Sequence, residues 1–232
     1  HLDVTVDRMR REFHVEVNVG EPRVAYRETI SRTAAAEGRF VRQTGGHGQY
    51  GDVRIRLEPV PTGEGIQWES EITGAVLPMD YQKAAEAGYR EAVSTGILAG
   101  YETVDIKAVL TGGSFHEVDS SEMAFKIASS MAFKAAAAKA SPMLLEPVMK
   151  IEVVTPSQFL GDCLGDLNSR RAQIQSMEGD DTTQTIKGMI PLSETFRYAT
   201  DLRSITTGRA AFSLEFDHYS PAPRSIIEGV KA

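Results

Sequence analysis

The sequence predicts an α+β protein with two domains, and three observations support this prediction. Short segments alternate apolar with polar residues, as half-buried strands do; Val53, Ile55 and Leu57, for example, alternate with arginines. Longer segments, such as residues 78–93, repeat small or apolar residues at helical spacing. The length of 232 residues corresponds to one or two domains, and a hydrophobic content of 41% supplies cores for them.

Residues 1–20 predict one helix followed by one short strand. Leu2, Val6, Met9 and Phe13 recur at helical spacing, and an alternating segment of valines at 15–19 then ends at Gly20. One helix and one short strand cannot bury a core by themselves. We therefore expect this segment to complete a domain that begins upstream of the given sequence.

The middle region, residues 21–143, predicts a mixed sheet with two helices. Pro78 opens the first helix, which Gly96 ends, and Asp119 with Glu122 forms a capping-box pattern for the second, which Ser141-Pro142 ends. Glycine-rich or polar connectors are expected at 44–51 and 111–119. The predicted elements, in chain order, are strands at 40–43, 52–57 and 66–72, a helix at 78–93, a strand at 101–110 and a helix at 120–139.

The last region, residues 144–232, predicts the order βαββαβ. Thr155 and Ser193 are expected to cap its two helices, and Gly208 to end the second. A polar tail from Pro221 onward is expected to fray. The order of elements is that of a ferredoxin-like sandwich. The predicted strands of this region are 148–154, 174–177, 184–190 and 211–216.

Composition and charge exclude several classes of protein. The chain carries 25 basic and 32 acidic side chains, a formal charge of −7, with no polybasic segment. Bulk electrostatic binding to nucleic acid is therefore disfavoured, so any contact with RNA must use a few local groups. No apolar run is long enough to span a membrane, and no histidines or cysteines have zinc-ligand spacing. Cys163 is the one cysteine, and we expect it to be an inert core thiol.

Patterns that resemble catalytic motifs do not predict an active site. Residues 46–51 match G-x-G-x-x-G, but a strand pattern follows where dinucleotide binding requires a helix, so a glycine-rich hairpin is the preferred interpretation. Ser114, His116 and Asp119 are triad residue types on one short loop, which is weak support for a triad. The sequence contains no phosphate-binding loop of the G-x-x-x-x-G-K-[ST] type. We assign no catalytic residue.

Two loops and one arginine pair are the candidate binding residues. Polar and aromatic side chains between glycines suit contact with an RNA backbone and unstacked bases, although a mobile hairpin is the alternative. Arg170 and Arg171 end a predicted helix, where they would either complement its dipole or bind phosphate. The candidate loop residues are Gly46, His47, Gly48, Gln49, Tyr50, Ser114, Phe115, His116 and Glu117.

Several long motifs, in the same order, resemble bacterial elongation factor G. The resemblance covers essentially the whole chain. The motifs are Pro22–Thr29 (PRVAYRET), Gly45–Gly51 (GGHGQYG), His116–Lys126 (HEVDSSEMAFK), Gly165–Arg171 (GDLNSRR) and Tyr198–Ser204 (YATDLRS).

The resemblance implies a division into three parts. Residues 1–20 would end the third domain of the factor, 21–143 would form its fourth domain and 144–232 its fifth. The fourth domain would be similar to a ribosomal-protein βαβ fold with a left-handed crossover, and the fifth ferredoxin-like. GTP and Mg²⁺ would bind in a domain absent from this sequence, so this part would bind no cofactor and no metal and would not be an enzyme by itself.

The resemblance also implies partners. The two loops would form a tip that enters the decoding site of the ribosome and contacts tRNA and mRNA during GTP-dependent translocation, with His116 as the tip histidine. Arg170 and Arg171 would contact rRNA of the large subunit. The protein would be cytoplasmic and monomeric, without a membrane. His47, Glu117, Ser169 and Arg197 depart from the usual residues of the family, which leaves the subtype open.

Alternatives remain at this point. A ribosome-recycling paralogue or a ribosomal protection protein would have the same architecture. A self-contained nucleotide-binding enzyme that uses the G-x-G-x-x-G segment is a candidate from another class, and it requires a helix after Gly51. Residues 145–220 alone could also form a regulatory module that binds a small ligand.

Overall fold

The computed structural model describes residues 2–14, 23–44 and 47–231. The predicted strand of valines at 15–19 lies outside these residues. The helices are α1 (Leu2–Phe13), α2 (Met79–Thr95), α3 (Glu122–Lys139), α4 (Leu160–Ser169), α5 (Tyr198–Thr206) and α6 (Arg224–Lys231). The strands are β1 (Arg27–Ile30), β2 (Ala34–Thr44), β3 (His47–Pro59), β4 (Ile66–Ser70), β5 (Ile106–Ser114), β6 (Pro142–Pro156), β7 (Gln173–Gly179), β8 (Thr183–Pro191) and β9 (Ala211–Pro221).

The chain forms two compact units. The larger unit contains residues 26–150 and 214–232, and the smaller unit contains residues 1–25 and 151–213. The two boundaries between the units fall within strands β6 and β9. The α+β class and the presence of two sheets confirm the predicted fold class.

The larger unit is built on a sheet with the strand order β2-β3-β5-β4. β2, β3 and β5 pair antiparallel, whereas β4 runs parallel to β5. A parallel neighbour requires a crossover, and α2 supplies it. The handedness of this crossover stays a prediction. α3 packs against α2 and against β2 and β3.

The core of this unit lies between the sheet and the two helices. Val53, Ile55 and Leu57 on β3 are fully buried, which confirms the predicted alternation. Two glycines allow α3 to lie close to the sheet. A Cβ at Gly38 would lie 2.0 Å from the Ala128 carbonyl oxygen, and one at Gly51 would lie 2.5 Å from that of Ala124.

Glu28 organises the segment after α2. Its side chain is fully buried and accepts hydrogen bonds from the backbone N–H groups of residues 97, 98, 99 and 101. The bonds from Leu98 and Ala99 measure 2.7 and 2.8 Å. Because these donors lie in a turn, outside any strand, the carboxylate replaces the partners that a sheet would provide.

The predicted βαββαβ order is present along β6, α4, β7, β8, α5 and β9, and the four elements from α4 to α5 lie wholly in the smaller unit. β7 and β8 form an antiparallel hairpin, and β8 also pairs with β6. Two short 3₁₀ turns, Ser157–Phe159 and Leu192–Thr195, precede the helices. Cys163 and Leu167 on α4 and Leu202 on α5 are buried, as the helical pattern predicts.

Several predicted helix caps are wrong. Ser121, not Asp119, caps α3, and its hydroxyl accepts the N–H of Ala124 at 3.2 Å. Thr155 lies inside β6, and the residue before α5 is Arg197 in a left-handed conformation rather than Ser193. A 3₁₀ turn lies between Thr155 and α4, and Ser193 lies within the 3₁₀ turn that precedes α5; such turns leave no mark in the spacing of apolar residues.

Three predicted boundaries also differ from the structure. β2 ends at Thr44 and β3 begins at His47, so the connector expected at 44–51 is mostly strand. β5 runs from Ile106 to Ser114, which shortens the loop expected at 111–119. The tail expected to fray after Pro221 forms α6, because its residues repeat apolar side chains at helical spacing.

Candidate functional site

The two predicted binding segments meet at one end of the larger sheet. The backbone N–H of Tyr50 on β3 donates to the Asp119 carbonyl at 2.8 Å, and that of Gly48 donates to Asp119 Oδ1 at 3.0 Å. The β2–β3 hairpin is thereby joined to the loop between β5 and α3. We call residues 48–50 and 114–117 the tip surface. Gly46 lies outside the described residues, and His47 begins β3.

A chain of hydroxyl groups also connects the two segments. Ser114 Oγ donates to Asp52 Oδ2 at 2.7 Å and lies 2.7 Å from the Tyr50 hydroxyl. Because the serine proton is used toward Asp52, Tyr50 must be the donor in the second bond. The order Tyr50 to Ser114 to Asp52 therefore fixes the tyrosine ring at the end of the sheet. Asp52 is only 5% exposed, and its Oδ1 has no partner among the described residues.

His116 is one of four consecutive exposed residues, 115–118, on the tip loop. Its side chain is 59% exposed, and its Nδ1 lies 3.4 Å from the N of Val118 and 3.3 Å from the N of Asp119. Since these amides donate, Nδ1 is the accepting nitrogen and Nε2 carries the ring proton. The main chain of His116 is fixed as well, because its N–H donates to Ser120 Oγ at 2.9 Å. His116 thus presents a donor on a well-supported loop.

Aromatic side chains continue from the tip into the core. Phe115 is 38% exposed, and its ring centroid lies 6.1 Å from that of Tyr81. Tyr81 in turn stacks on the buried Phe125 at 4.6 Å, and its hydroxyl donates to the Ser120 carbonyl at 3.2 Å. The exposed edge of Phe115 is therefore supported by a rigid row of rings. Glu117, also predicted, is exposed.

The geometry gives no support to a catalytic triad. Ser114 Oγ is hydrogen-bonded to Tyr50 and Asp52, whereas Nδ1 of His116 faces backbone amides and lies 3.6 Å from Asp119 Oδ2. The G-x-G-x-x-G segment leads into β3, a strand, so the requirement of dinucleotide binding is not met. Within the described ranges, no cluster of three acidic, histidine or cysteine side chains could hold a metal ion.

Arg170 and Arg171 have acidic partners within the smaller unit. Arg170 contacts Asp166 at 2.9 Å and Asp201 at 2.5 Å, and its guanidinium lies over the ring of Tyr198. Arg171 contacts Glu194 at 2.9 Å. The Arg170 side chain is 15% exposed and that of Arg171 34%. The arginine pair therefore connects the end of α4 to the segment around α5.

Sequence reasoning missed two residues of the site. Asp52 has the appearance of an ordinary strand residue, and Asp119 that of a helix cap. The signal for Asp52 is the register between strands, since it lies opposite Ser114 across β3 and β5. Asp119 lies on the loop before α3 and is recognised only by its hydrogen bonds to Gly48 and Tyr50. Cys163, as expected, is buried, and burial raises the pKa of its thiol. Among the described residues no helix is long and apolar enough to cross a membrane.

Comparison with known proteins identifies the family. Residues 22–141 match the family model of elongation factor G, domain IV, and residues 143–230 match that of the elongation factor G C-terminus. A protein from Thermus thermophilus whose crystal structure is known is 42% identical in sequence to this chain, and the two structures superpose with a TM-score of 0.83. The match covers 100% of this chain but 34% of that one, so the chain spans about a third of its relative's length. The chain belongs to the elongation factor G family, with the match extending over domain IV and the C-terminal domain.

Proposed function

We propose that this chain is the ribosome-contacting part of a translational GTPase that promotes translocation of tRNA and mRNA. The observation that carries the proposal is the convergence of two separate segments on one exposed tip. Each segment belongs to a motif that resembles the family, and Asp119 and Ser114 join them. A fixed tip at the end of a sheet can transmit force, because its position follows the sheet as a rigid body.

The tip surface suits contact with a codon–anticodon helix in the decoding site. Nε2 of His116 supplies a hydrogen-bond donor, and Phe115 and Tyr50 supply ring faces for bases or sugars. In this proposal the larger unit occupies the space that the tRNA leaves and prevents the tRNA and mRNA from moving back. The net charge of −7 permits departure from the ribosome, because it limits nonspecific attraction to RNA.

Further parts of the proposal concern the rest of the protein. GTP and Mg²⁺ would bind outside these 232 residues, since the sequence contains no phosphate-binding loop, and this chain alone would not hydrolyse GTP. We retain the division into residues 1–20, 21–143 and 144–232 and a monomeric, cytoplasmic protein. Arg170 and Arg171 would contact rRNA of the large subunit by exchanging a carboxylate partner for a phosphate, and the more exposed Arg171 is the better placed of the two.

Directed cleavage of rRNA tests the placement of the tip. Val118 is 71% exposed on the tip loop, and Met177 is 53% exposed on β7 of the smaller unit. Because Cys163 is buried, Val118→Cys and Met177→Cys would each carry one reactive thiol for an iron chelate that generates hydroxyl radicals. With this chain bound to ribosomes, the Val118→Cys protein should cleave small-subunit rRNA at the decoding site, and the Met177→Cys protein should not. Cleavage by the Val118→Cys protein elsewhere would refute the placement.

A further inference from the structure

We propose that a second surface, beside the tip, binds the phosphate backbone of RNA. We call it the arginine face and define it by Arg39, Tyr50 and Arg54. The inference rests on the proposed function and extends it from the tip surface to the body of the sheet. It assigns roles to Arg39 and Arg54, which lie outside the two tip segments.

The strand register places these side chains on the side of the sheet that faces away from the helices. Arg39 on β2 lies opposite Asp52 on β3, and Arg54 is two residues further along β3. Side chains alternate along a strand, and the intervening Val53 is buried against the helices. Arg39 and Arg54 are therefore diagonal neighbours, which in antiparallel sheets lie about 7–8 Å apart.

Further from the hairpin, basic side chains on the same side of the sheet are neutralised by carboxylates. Arg56 contacts Glu58 at 2.7 Å and Glu71 at 2.6 Å, and hydrogen bonds to these two groups raise its pKa. Lys107 pairs with Glu69. These cations already have partners within the protein, so this part of the sheet offers little to an anionic ligand.

Arg39 and Arg54 lack such partners. Both are exposed, and in the part of the chain that the structure describes neither forms an ion pair. Glu37, which lies opposite Arg54 in the register, pairs with neither arginine. Asp52 is buried and hydrogen-bonded to Ser114. Two guanidinium groups thus remain available at the end of the sheet nearest the tip.

Neighbouring groups hold both arginines in place. The Arg39 guanidinium lies over the Tyr50 ring, 5.6 Å from its centroid, and the hydroxyl chain through Ser114 fixes that ring. The Arg54 side chain lies across Gly112, where a Cβ would be 3.4 Å from Arg54 Cδ. Such support lowers the entropy lost when the guanidinium groups bind a ligand.

The charges and residue types favour RNA as the occupant. Residues 37–54 carry three arginines against Glu37 and Asp52, a formal charge of +1 in a chain whose total is −7. Arginine matches the geometry of phosphate oxygens, and an aromatic ring beside it can stack on a base. The arginine face shares Tyr50 with the tip surface, so one RNA strand could contact both.

Salt-dependent binding to ribosomes tests the inference. Wild-type chain would be compared with Arg39→Gln, Arg54→Gln and the control Arg32→Gln, which makes the same charge change two residues before β2 begins. Ribosomes would be used empty and with tRNA and mRNA bound, to distinguish ribosomal from messenger or transfer RNA as the source of the phosphates. All three arginines are exposed, so the variants should melt like wild type.

Arg39→Gln and Arg54→Gln should each weaken binding by about 3- to 10-fold, and each should reduce the slope of log Kd against log salt concentration by about 0.7–0.9. Arg32→Gln should change neither quantity. Arg39→Lys keeps the charge and should retain the wild-type slope.

Two results would overturn the inference while leaving the proposed function intact: glutamine variants that bind like Arg32→Gln, or an Arg39→Lys variant with the reduced salt slope of Arg39→Gln. A wild-type chain that does not bind ribosomes would refute the proposed function, and this inference with it.

Discussion

Asp119 accepts a hydrogen bond from the backbone N–H of Gly48 across 3.0 Å and so joins two segments that are 71 residues apart in the chain. The contact needs glycine, because a Cβ at position 48 would lie 2.7 Å from Asp119 Cγ. The glycine-rich composition of the hairpin is thereby explained by close approach of a neighbouring loop as well as by its turn. The shape of the tip depends on this pair.

A double-mutant cycle measures this contact. Gly48→Ala should displace the Asp119 side chain and lower the free energy of unfolding by about 1 kcal/mol, the value of one hydrogen bond. Asp119→Ala should cost a similar amount, and the double variant little more than either single one. Gly74→Ala is the control, since a Cβ there meets nothing within 4 Å. Fully additive costs in urea denaturation would contradict the contact.

The Glu28 carboxylate should be essential for stability. Glu28→Ala leaves the four part-buried backbone donors at residues 97, 98, 99 and 101 without their acceptor, and each unsatisfied group costs up to about 1–3 kcal/mol. We expect a loss of at least about 3 kcal/mol in urea denaturation and faster hydrogen exchange at Leu98 and Ala99. Glu37→Ala, at an exposed position, is the control. A cost within about 0.5 kcal/mol for Glu28→Ala would show that the turn holds without the carboxylate.

Two buried tyrosines should respond differently to loss of the hydroxyl. Tyr89 donates to the Ile106 carbonyl at 3.3 Å, whereas the Tyr198 hydroxyl has no partner among the described residues. Burial raises the pKa of both phenols. Tyr89→Phe should lower the free energy of unfolding by about 1 kcal/mol, and Tyr198→Phe should leave it unchanged or raise it. Equal losses of unfolding free energy for the two variants would contradict the difference in hydrogen bonding between the two hydroxyls.

The turn between β7 and β8 should show a titration at low pH. Hydrogen bonds from the hydroxyl of Thr182 and from the N–H groups of Thr183 and Thr182 lower the pKa of Asp180 from 3.8 to about 2. Because the folded pKa lies below the unfolded one, the carboxylate stabilises the fold above about pH 4, and this contribution is lost as the pH falls toward 2. An NMR titration should find the Asp180 midpoint near 2, and Thr182→Val should raise it. A midpoint near 3.8 in the wild type would refute the assignment.

Much of the fold is predictable because the core positions follow simple periods. The buried Val53, Ile55 and Leu57 follow from alternation, and the end of α2 at Gly96 follows from a glycine at a position with a positive φ of 73°. The length of β3 cannot be predicted in this way, because the glycines at its beginning favour a loop over a strand. Only the pairing of Gly48 with Gln43 and of Gly51 with Phe40 reveals a strand there.

The candidate site is predictable in part, for a physical reason. Exposed residues such as His116 lie on a loop that the sequence marks by its polar composition. The residues that support them depend on long-range register: Asp52 lies opposite Ser114 only because β3 and β5 shift register between Arg54 and Ile55. The spacing of residues along one segment carries no information about such a shift.

The most direct test of the account is the effect of His116→Ala on the whole factor that carries this chain. His116 is exposed, so its loss should change the free energy of unfolding by no more than about 0.5 kcal/mol. Single-round translocation should slow, because Nε2 has no substitute on the loop, while GTP cleavage should proceed at nearly the wild-type rate. Equal slowing of both steps, or unchanged translocation, would contradict the assignment of this tip to the decoding site.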